Sequence, residues 1–306
     1  MRKTFLRALL TKPTKYAKNF AELKKERRIS KFRKKYFNLT KPYKSNAELK
    51  AEKWDDATFI CGSDQIWNPY FTLYGEGQKT LSYFLDFVPS DSEKIAYAGS
   101  FGVTNLNEEM KKIVFSQLST FKKVSVREKS AVSMLQEIGV QADLVCDPVF
   151  LPQRETWLSI AKVNMQKKKS VFSYILHDNQ TEARAVSSFV KEALDADIVG
   201  NKPVEVDAWL GQLKEAEFVV TNSFHATAFS VIFHRPFVSV LLKENGMNDR
   251  LITLLKALGL EDRIMERFDE TQLKEKMNAP IDWDSVCQKL NDMRVKAQEY
   301  LKRIGE

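Results

Sequence analysis

From Trp54 onward, short apolar runs alternate with stretches in which apolar residues recur every three or four positions. Runs of four to six apolar residues mark strands buried on both faces, and the longer period marks helices laid on a sheet. The alternation therefore predicts βαβ units and a mostly parallel sheet, an α/β fold rather than a sandwich or barrel. Strands are predicted at 57–61, 94–97, 122–126, 143–145, 170–175, 197–199, 218–221 and 236–241. Helices are read from NLNEEMKKIVFSQLSTF, from EKSAVSMLQEIGV, which stops at Gly139, and from NQTEARAVSSFVKEAL, which opens on capping residues. The pattern WDSVCQKLNDMRVKAQEYLKRIG predicts one long amphipathic C-terminal helix, packed on its own domain or crossing back to the first. A polar, lysine-rich stretch at 152–170 places a domain junction, giving a basic segment 1–53, a first α/β domain 54–160 and a second 161–306.

Charge changes this picture only at the N-terminus. The net +8 of the 306 residues resolves into 18 Lys/Arg against four Glu in residues 1–53, a balance of +14, which leaves 30 basic against 36 acidic groups, or −6, in the rest. The excess lies in one or two basic helices with Phe20, Leu23, Phe32, Tyr36 and Phe37 as a broken apolar stripe. Such a segment either attaches weakly to an anionic lipid surface or an acidic polymer, or packs on the domain through its aromatics. A nucleic-acid partner is not expected from a mildly acidic body. No window approaches the roughly 18 apolar residues of a membrane span, and the opening MRKTFLRALLTKP lacks a signal-peptide core and cleavage site. The expected location is the cytoplasm, peripheral at the inner face of the membrane through residues 1–53. Cys61, Cys146 and Cys287 stand far apart, outside ligand spacing, and are expected to be reduced, buried thiols.

Ligands of open α/β sheets bind beyond the carboxyl ends of the strands. Those positions hold Gly62, Ser63, Asp64 and Gln65, with Trp67 read as exposed just beyond; then Gly99, Ser100, Phe101 and Gly102; Arg127 and Glu128; Asp147 and Pro148; His177 and Asp178; and Thr221 to His225. EFVVTNSFHATAFSVIFHRPFVSVLL reads as strand, turn, helix, strand, with Asn222 or Ser223 as N-cap and His225 in the first turn. Free amides and the positive end of the helix dipole there suit phosphate or carboxylate, although the same residues also mark an ordinary capped helix start. His234 at the far end is read as a favourable charge at the helix C-terminus. Arg127 either holds an anion by two hydrogen bonds or forms a surface ion pair with Glu128 or another acid. Asp147 most simply ends a strand, and Gly99–Gly102 is a weak phosphate cradle. The three histidines, 48 and 9 residues apart, match no metal motif.

Six stretches in order, FICGSDQIWNP, YFLDFVP, KIAYAGSFG, VSVREKSAVSMLQEIGV, VCDPVFLP and VVTNSFHATAFSVIFHRPFVSVLL with the following NDRLITLLKALGLEDRI, resemble the polysaccharide pyruvyl transferase family over about residues 54–264. The resemblance implies two Rossmann-like domains facing a cleft, glycosyltransferase B-like, and transfer of pyruvyl from phosphoenolpyruvate to sugar hydroxyls, as a ketal, on a surface or capsular polysaccharide or its lipid-linked precursor. It implies phosphoenolpyruvate as donor, a glycan or lipid-linked saccharide as acceptor, and no cofactor or metal. Arg127 is then a ligand of the donor's carboxylate or phosphate, and His225 a phosphate ligand and general acid. Arg250, Asn222, Ser223, Ser63 and Gln65 are further substrate-binding candidates; the resemblance assigns Asp64 and Gln65 no role, and Asp64 either serves as the base at the hydroxyl or holds the loop. The strand, Asn-Tyr-Gly loop and helix that usually open members of this branch are not found before Trp54, so the chain is expected to lack the first βα unit. Ala226 stands where glycine is expected. The alternatives are a non-catalytic glycan- or anion-binding relative and a nucleotide-sugar glycosyltransferase.

Overall fold

The computed structural model describes residues 27–54, 57–72, 81–162, 168–177, 180–243, 246–302 and 304. The first half of the expected basic helices, residues 1–26, and Asp178 lie outside them. Two parallel sheets organise the described chain. The first holds β1 (Phe59–Cys61), β2 (Lys94–Gly99), β3 (Lys123–Val126) and β4 (Asp143–Leu144), side by side in that order. The second holds β5 (Ser170–Tyr174), β6 (Asp197–Val199), β7 (Phe218–Thr221), β8 (Phe237–Val240) and β9 (Ile264–Met265) in the order β6-β5-β7-β8-β9. All pairings are parallel. The chain is thus an α/β protein of two Rossmann-like halves, and the second has the doubly wound order whose switch point falls between β5 and β7.

Residues 27–36 form α1, and Asn46–Lys50 (α2) and Pro69–Thr72 (α3) are short. In the first domain α4 (Glu108–Leu118) and α5 (Lys129–Glu137) connect strands, and α6 (Arg154–Ile160) leads to the second. There α7 (Thr181–Leu194), α8 (Val206–Glu215), α9 (Phe224–Ile232), α10 (Asn248–Leu258) and α11 (Glu270–Asn278) follow, and α12 (Trp283–Lys302) closes the chain. The periodicity explains their faces: α4 is capped by Asn107 Oδ1, which accepts from Met110 N at 2.8 Å, and buries Met110, Val114 and Leu118 at four-residue spacing. All eight strands read from the sequence are present with ends shifted by two residues or fewer. The two-residue β9, after a tight turn, was too short for periodicity to reveal.

The C-terminal helix crosses back. Tyr300 Oη donates to Ala96 O in β2 at 2.9 Å, Arg294 Nε donates to Phe150 O at 2.9 Å, and Val286, Leu290, Ala297 and Tyr300 join one core with Ile95 and Tyr97 of the first sheet and Phe172 and Val219 of the second. That shared core fastens the halves to each other. The expectation of an exposed Trp67 is corrected: it is fully buried, stacked on Phe84 at 5.6 Å, with Nε1 donating to Tyr83 O at 3.2 Å. Its ring rests on Gly99, where a Cβ would lie 2.6 Å from it. Cys61 and Cys146 are buried as expected, but Cys287 is exposed.

Candidate active site

The site is built where the carboxyl ends of the first sheet meet the start of α9 and α10. Arg127, directly after β3, has a side chain only 1% exposed. Its Nη1 donates to Asp147 Oδ2 and, at 3.3 Å, to Ser63 Oγ, and its Nη2 donates to Asp64 Oδ1 at 2.9 Å. The guanidinium carbon stands 4.6 Å from the centroid of the Phe224 ring, in the first turn of α9. The reading of Arg127 as an ion pair with Glu128 or another acid holds for the other acids, and its surface location is corrected: the guanidinium is buried, Asp147 and Asp64 are the hydrogen-bonded partners, and Glu128 is 4.0 Å away at Nε.

Arg250 reaches the same carboxylate from the second domain, with Nη1 3.7 Å from Asp64 Oδ1 and Nε donating to Met247 O at 3.3 Å. Burial first, and then Arg127, lower its pKa to about 10, so it remains a cation at neutral pH. Turned with its oxygen toward Arg250, the Gln65 amide accepts from both guanidinium nitrogens at 3.3 Å. Gly102 makes room for that amide: with φ at +63°, a Cβ there would lie 2.0 Å from the end of the Gln65 side chain. Asp249 binds the halves beside this site, its Oδ2 accepting from Ser130 Oγ at 2.7 Å and Ser130 N at 3.2 Å, and so caps the start of α5 from the opposite domain.

Two carboxylates behave oppositely. Burial pushes the Asp64 carboxyl up, but the Arg127 guanidinium, His225 and the Gln65 amide together outweigh it and hold the carboxyl below its usual range. Because the Asp64 side chain is 65% exposed, the cations rather than burial set its charge. Glu128 is 1% exposed; its Oε1 accepts from Phe101 N at 2.9 Å, and its Oε2 makes no well-formed hydrogen bond among the described residues. Burial raises its pKa, since Arg127 is already matched by nearer carboxylates. The unfolded chain therefore gives up the Glu128 proton first as pH rises through its ordinary range, and stability falls until the folded-state value is passed. Glu128→Gln, which mimics the protonated form, is expected to remove that decline and to raise the urea midpoint at pH 7; a lower midpoint there, with the same pH slope as the parent, would show the ionised form is the native one. The Phe101 amide being taken by Glu128, with Ser100 and Phe101 fully buried, the Gly99–Gly102 loop is a packed turn rather than a phosphate cradle.

Helix α9 carries the histidine. Ser223 is its N-cap, with Oγ accepting from Ala226 N at 3.4 Å, and every residue of α9 is buried except His225. Burial depresses the His225 pKa; Asp147 and Asp64 act upward and Arg127 and Arg250 downward, and the net is lowered, leaving a neutral imidazole at pH 7. Ser63, Asp64, Gln65, Arg127, Arg250 and His225 are thus brought to one place. Asn222 is turned elsewhere: it accepts from Leu176 N at 2.7 Å and donates to Leu176 O at 2.8 Å, tying the ends of β5 and β7 together. Asp147, read as a strand terminator, also caps the next turn through Val149 N at 3.0 Å and is a direct partner of Arg127. Its strand-end position was the signal that could have found it. His234 is corrected: burial, Arg154 and Arg235 lower its pKa, and its ring stacks on Trp283 at 4.9 Å, so it packs as a neutral ring instead of serving as a helix-end charge. Among the described residues no group of three His, Cys, Asp or Glu is placed to hold a metal ion.

A family model described as polysaccharide pyruvyl transferase matches residues 1–244, including the basic segment before Trp54. A search of curated proteins finds no match. Among solved structures, one described as the glycotransferase of kitacinnamycin is similar at 11% identity over 69% of this chain and 70% of that one, with a TM-score of 0.33.

Proposed function

The chain belongs to the polysaccharide pyruvyl transferase family, and from that premise we propose that it moves a pyruvyl group from phosphoenolpyruvate to two hydroxyls of a sugar in a surface or capsular polysaccharide or its precursor, closing a pyruvate ketal. The observation that carries this reading is the convergence of two buried arginines, one from each half, on Asp64 beside the only incompletely buried residue of α9, His225. A donor with a carboxylate and a phosphate presents two anions to such a pair, and guanidinium forks suit both.

In this reading the donor anions take guanidinium N–H groups and the start of α9, where amides and dipole favour negative charge. A bound dianion raises the His225 pKa, converting a neutral ring into the acid the reaction needs. His225 then delivers a proton to the methylene carbon, making it a methyl group and leaving a cationic centre at C2. The first sugar hydroxyl bonds to C2 and loses its proton, Asp64 being the nearest carboxylate with access to solvent. The C2 to phosphate-oxygen bond breaks and phosphate departs with its electron pair; the second hydroxyl then bonds to C2 and gives up its proton to the released phosphate, which closes the ketal. The low basicity of Asp64 suits a group that receives the proton only as the hydroxyl becomes cationic. Ser63 holds Asp147 and Arg127 in place, with Oγ 2.8 Å from Asp147 Oδ2.

Phosphoenolpyruvate is expected to raise the melting temperature. At a hundred times Kd, binding adds about 2.7 kcal/mol, a shift of several degrees. Phosphate should appear when a glycan acceptor is added. Binding without phosphate release would identify a non-catalytic relative, and a shift with uridine or guanosine diphosphate but none with phosphoenolpyruvate would overturn the reading.

A further inference from the structure

Residues 27–44 carry eight Lys or Arg and no Asp or Glu, although the chain after residue 53 is net acidic. Two of those cations reach the second domain across the surface: Arg28 donates to Pro203 O, and Lys31 lies 3.5 Å from Glu205. They seat α1 on the loop that follows β6, at the carboxyl end of the second sheet, the end on which the site lies. Arg33, Lys34, Lys35 and Lys44 are left exposed. Apolar groups are exposed among them: Tyr36, Phe37 and Leu39 are 44%, 56% and 60% accessible. Phe32 gathers the rings, 4.7 Å from Tyr36 and 6.4 Å from Phe37.

Cations alone would fit any polyanion. Exposed aromatic and leucine side chains in the same stretch gain nothing from a strongly hydrated polymer, but they fit the interfacial layer of a bilayer, where rings and aliphatic groups insert while neighbouring cations meet lipid phosphates. We propose that residues 27–44 dock the protein on an anionic phospholipid surface, with Arg33, Lys34 and Lys35 at the headgroups and Phe37 and Leu39 in the interfacial layer. The docking is peripheral and reversible, as one amphipathic segment without a lipid anchor provides. Among the described residues no helix is long and apolar enough to cross a membrane. The proposal does not rest on pyruvyl transfer.

Co-sedimentation of the full chain with vesicles tests it. Binding is expected to vesicles of phosphatidylcholine with about one third phosphatidylglycerol, not to phosphatidylcholine alone, and to be released in about 1 M NaCl, where the Debye length is about 3 Å. The triple variant Arg33→Glu, Lys34→Glu, Lys35→Glu should bind at least about tenfold more weakly. Phe37→Ser with Leu39→Ser should lose at least about threefold at low salt with an unchanged melting temperature. Equal binding to neutral vesicles, no binding at low salt, or an unimpaired triple variant would overturn the proposal. Tighter binding to a duplex oligonucleotide than to anionic vesicles would assign the surface to nucleic acid instead.

Discussion

Replacing His225 with alanine is expected to cut kcat/KM for pyruvyl transfer by about 10²–10⁴-fold, the usual contribution of a positioned acid. The fold should tolerate the change, because His225 is the one residue of α9 that is only partly buried and it forms no part of the hydrophobic cores. The urea midpoint should therefore stay close to the parent's. His225→Gln separates the two assigned tasks: an amide still donates a hydrogen bond to phosphate but cannot deliver a proton, so the thermal shift with phosphoenolpyruvate should survive while turnover is lost. The pH profile gives the sign. An acid must enter the reaction protonated, so kcat should fall as pH rises through the His225 pKa of the donor complex, and the limb should disappear in the Gln variant. An alanine variant with unimpaired turnover would remove His225 from the mechanism.

The second large effect is on folding as well as binding. Arg127→Ala leaves Asp147, with a side chain 2% exposed, without its guanidinium partner. Stripping one partner from buried charges of this kind costs about 3–5 kcal/mol, and the urea midpoint should drop accordingly. Arg127→Lys keeps the charge but not the fork that divides Nη1 and Nη2 between Asp147 and Asp64, nor the flat contact with Phe224, so it should fall between parent and alanine in stability. Donor affinity should be poor in both variants. Adding Asp147→Ala to Arg127→Ala should cost less than the sum of the two singles, since both remove the same interaction. A parental midpoint for Arg127→Ala would mean that the cluster is not held by this residue.

Much of the fold was legible because it is written at short range. The fully buried β2, β7 and β8 read as mostly apolar runs, and Gly139 and the Asn107 cap bracket helices where the pattern placed them. The rule that ligands gather beyond strand ends selected Arg127, Asp64 and His225 from their positions alone. It also selected Asn222, which is spent on Leu176, and it undervalued Asp147, because strand-end position does not say which end faces which.

By itself, the sequence determined the α/β alternation, the capped helix start that carries His225 and the concentration of positive charge before Trp54, since each depends on residues a few positions apart. Only the tertiary structure decided that Arg127 is buried between Asp147 and Asp64, that Arg250 joins it from the other half, that Trp67 lies beneath Gly99 and that the last helix returns to Ala96. Those contacts join residues 20 to 204 positions apart. Their charge states follow from who meets whom and how far water is excluded, and no local period along the chain carries that information.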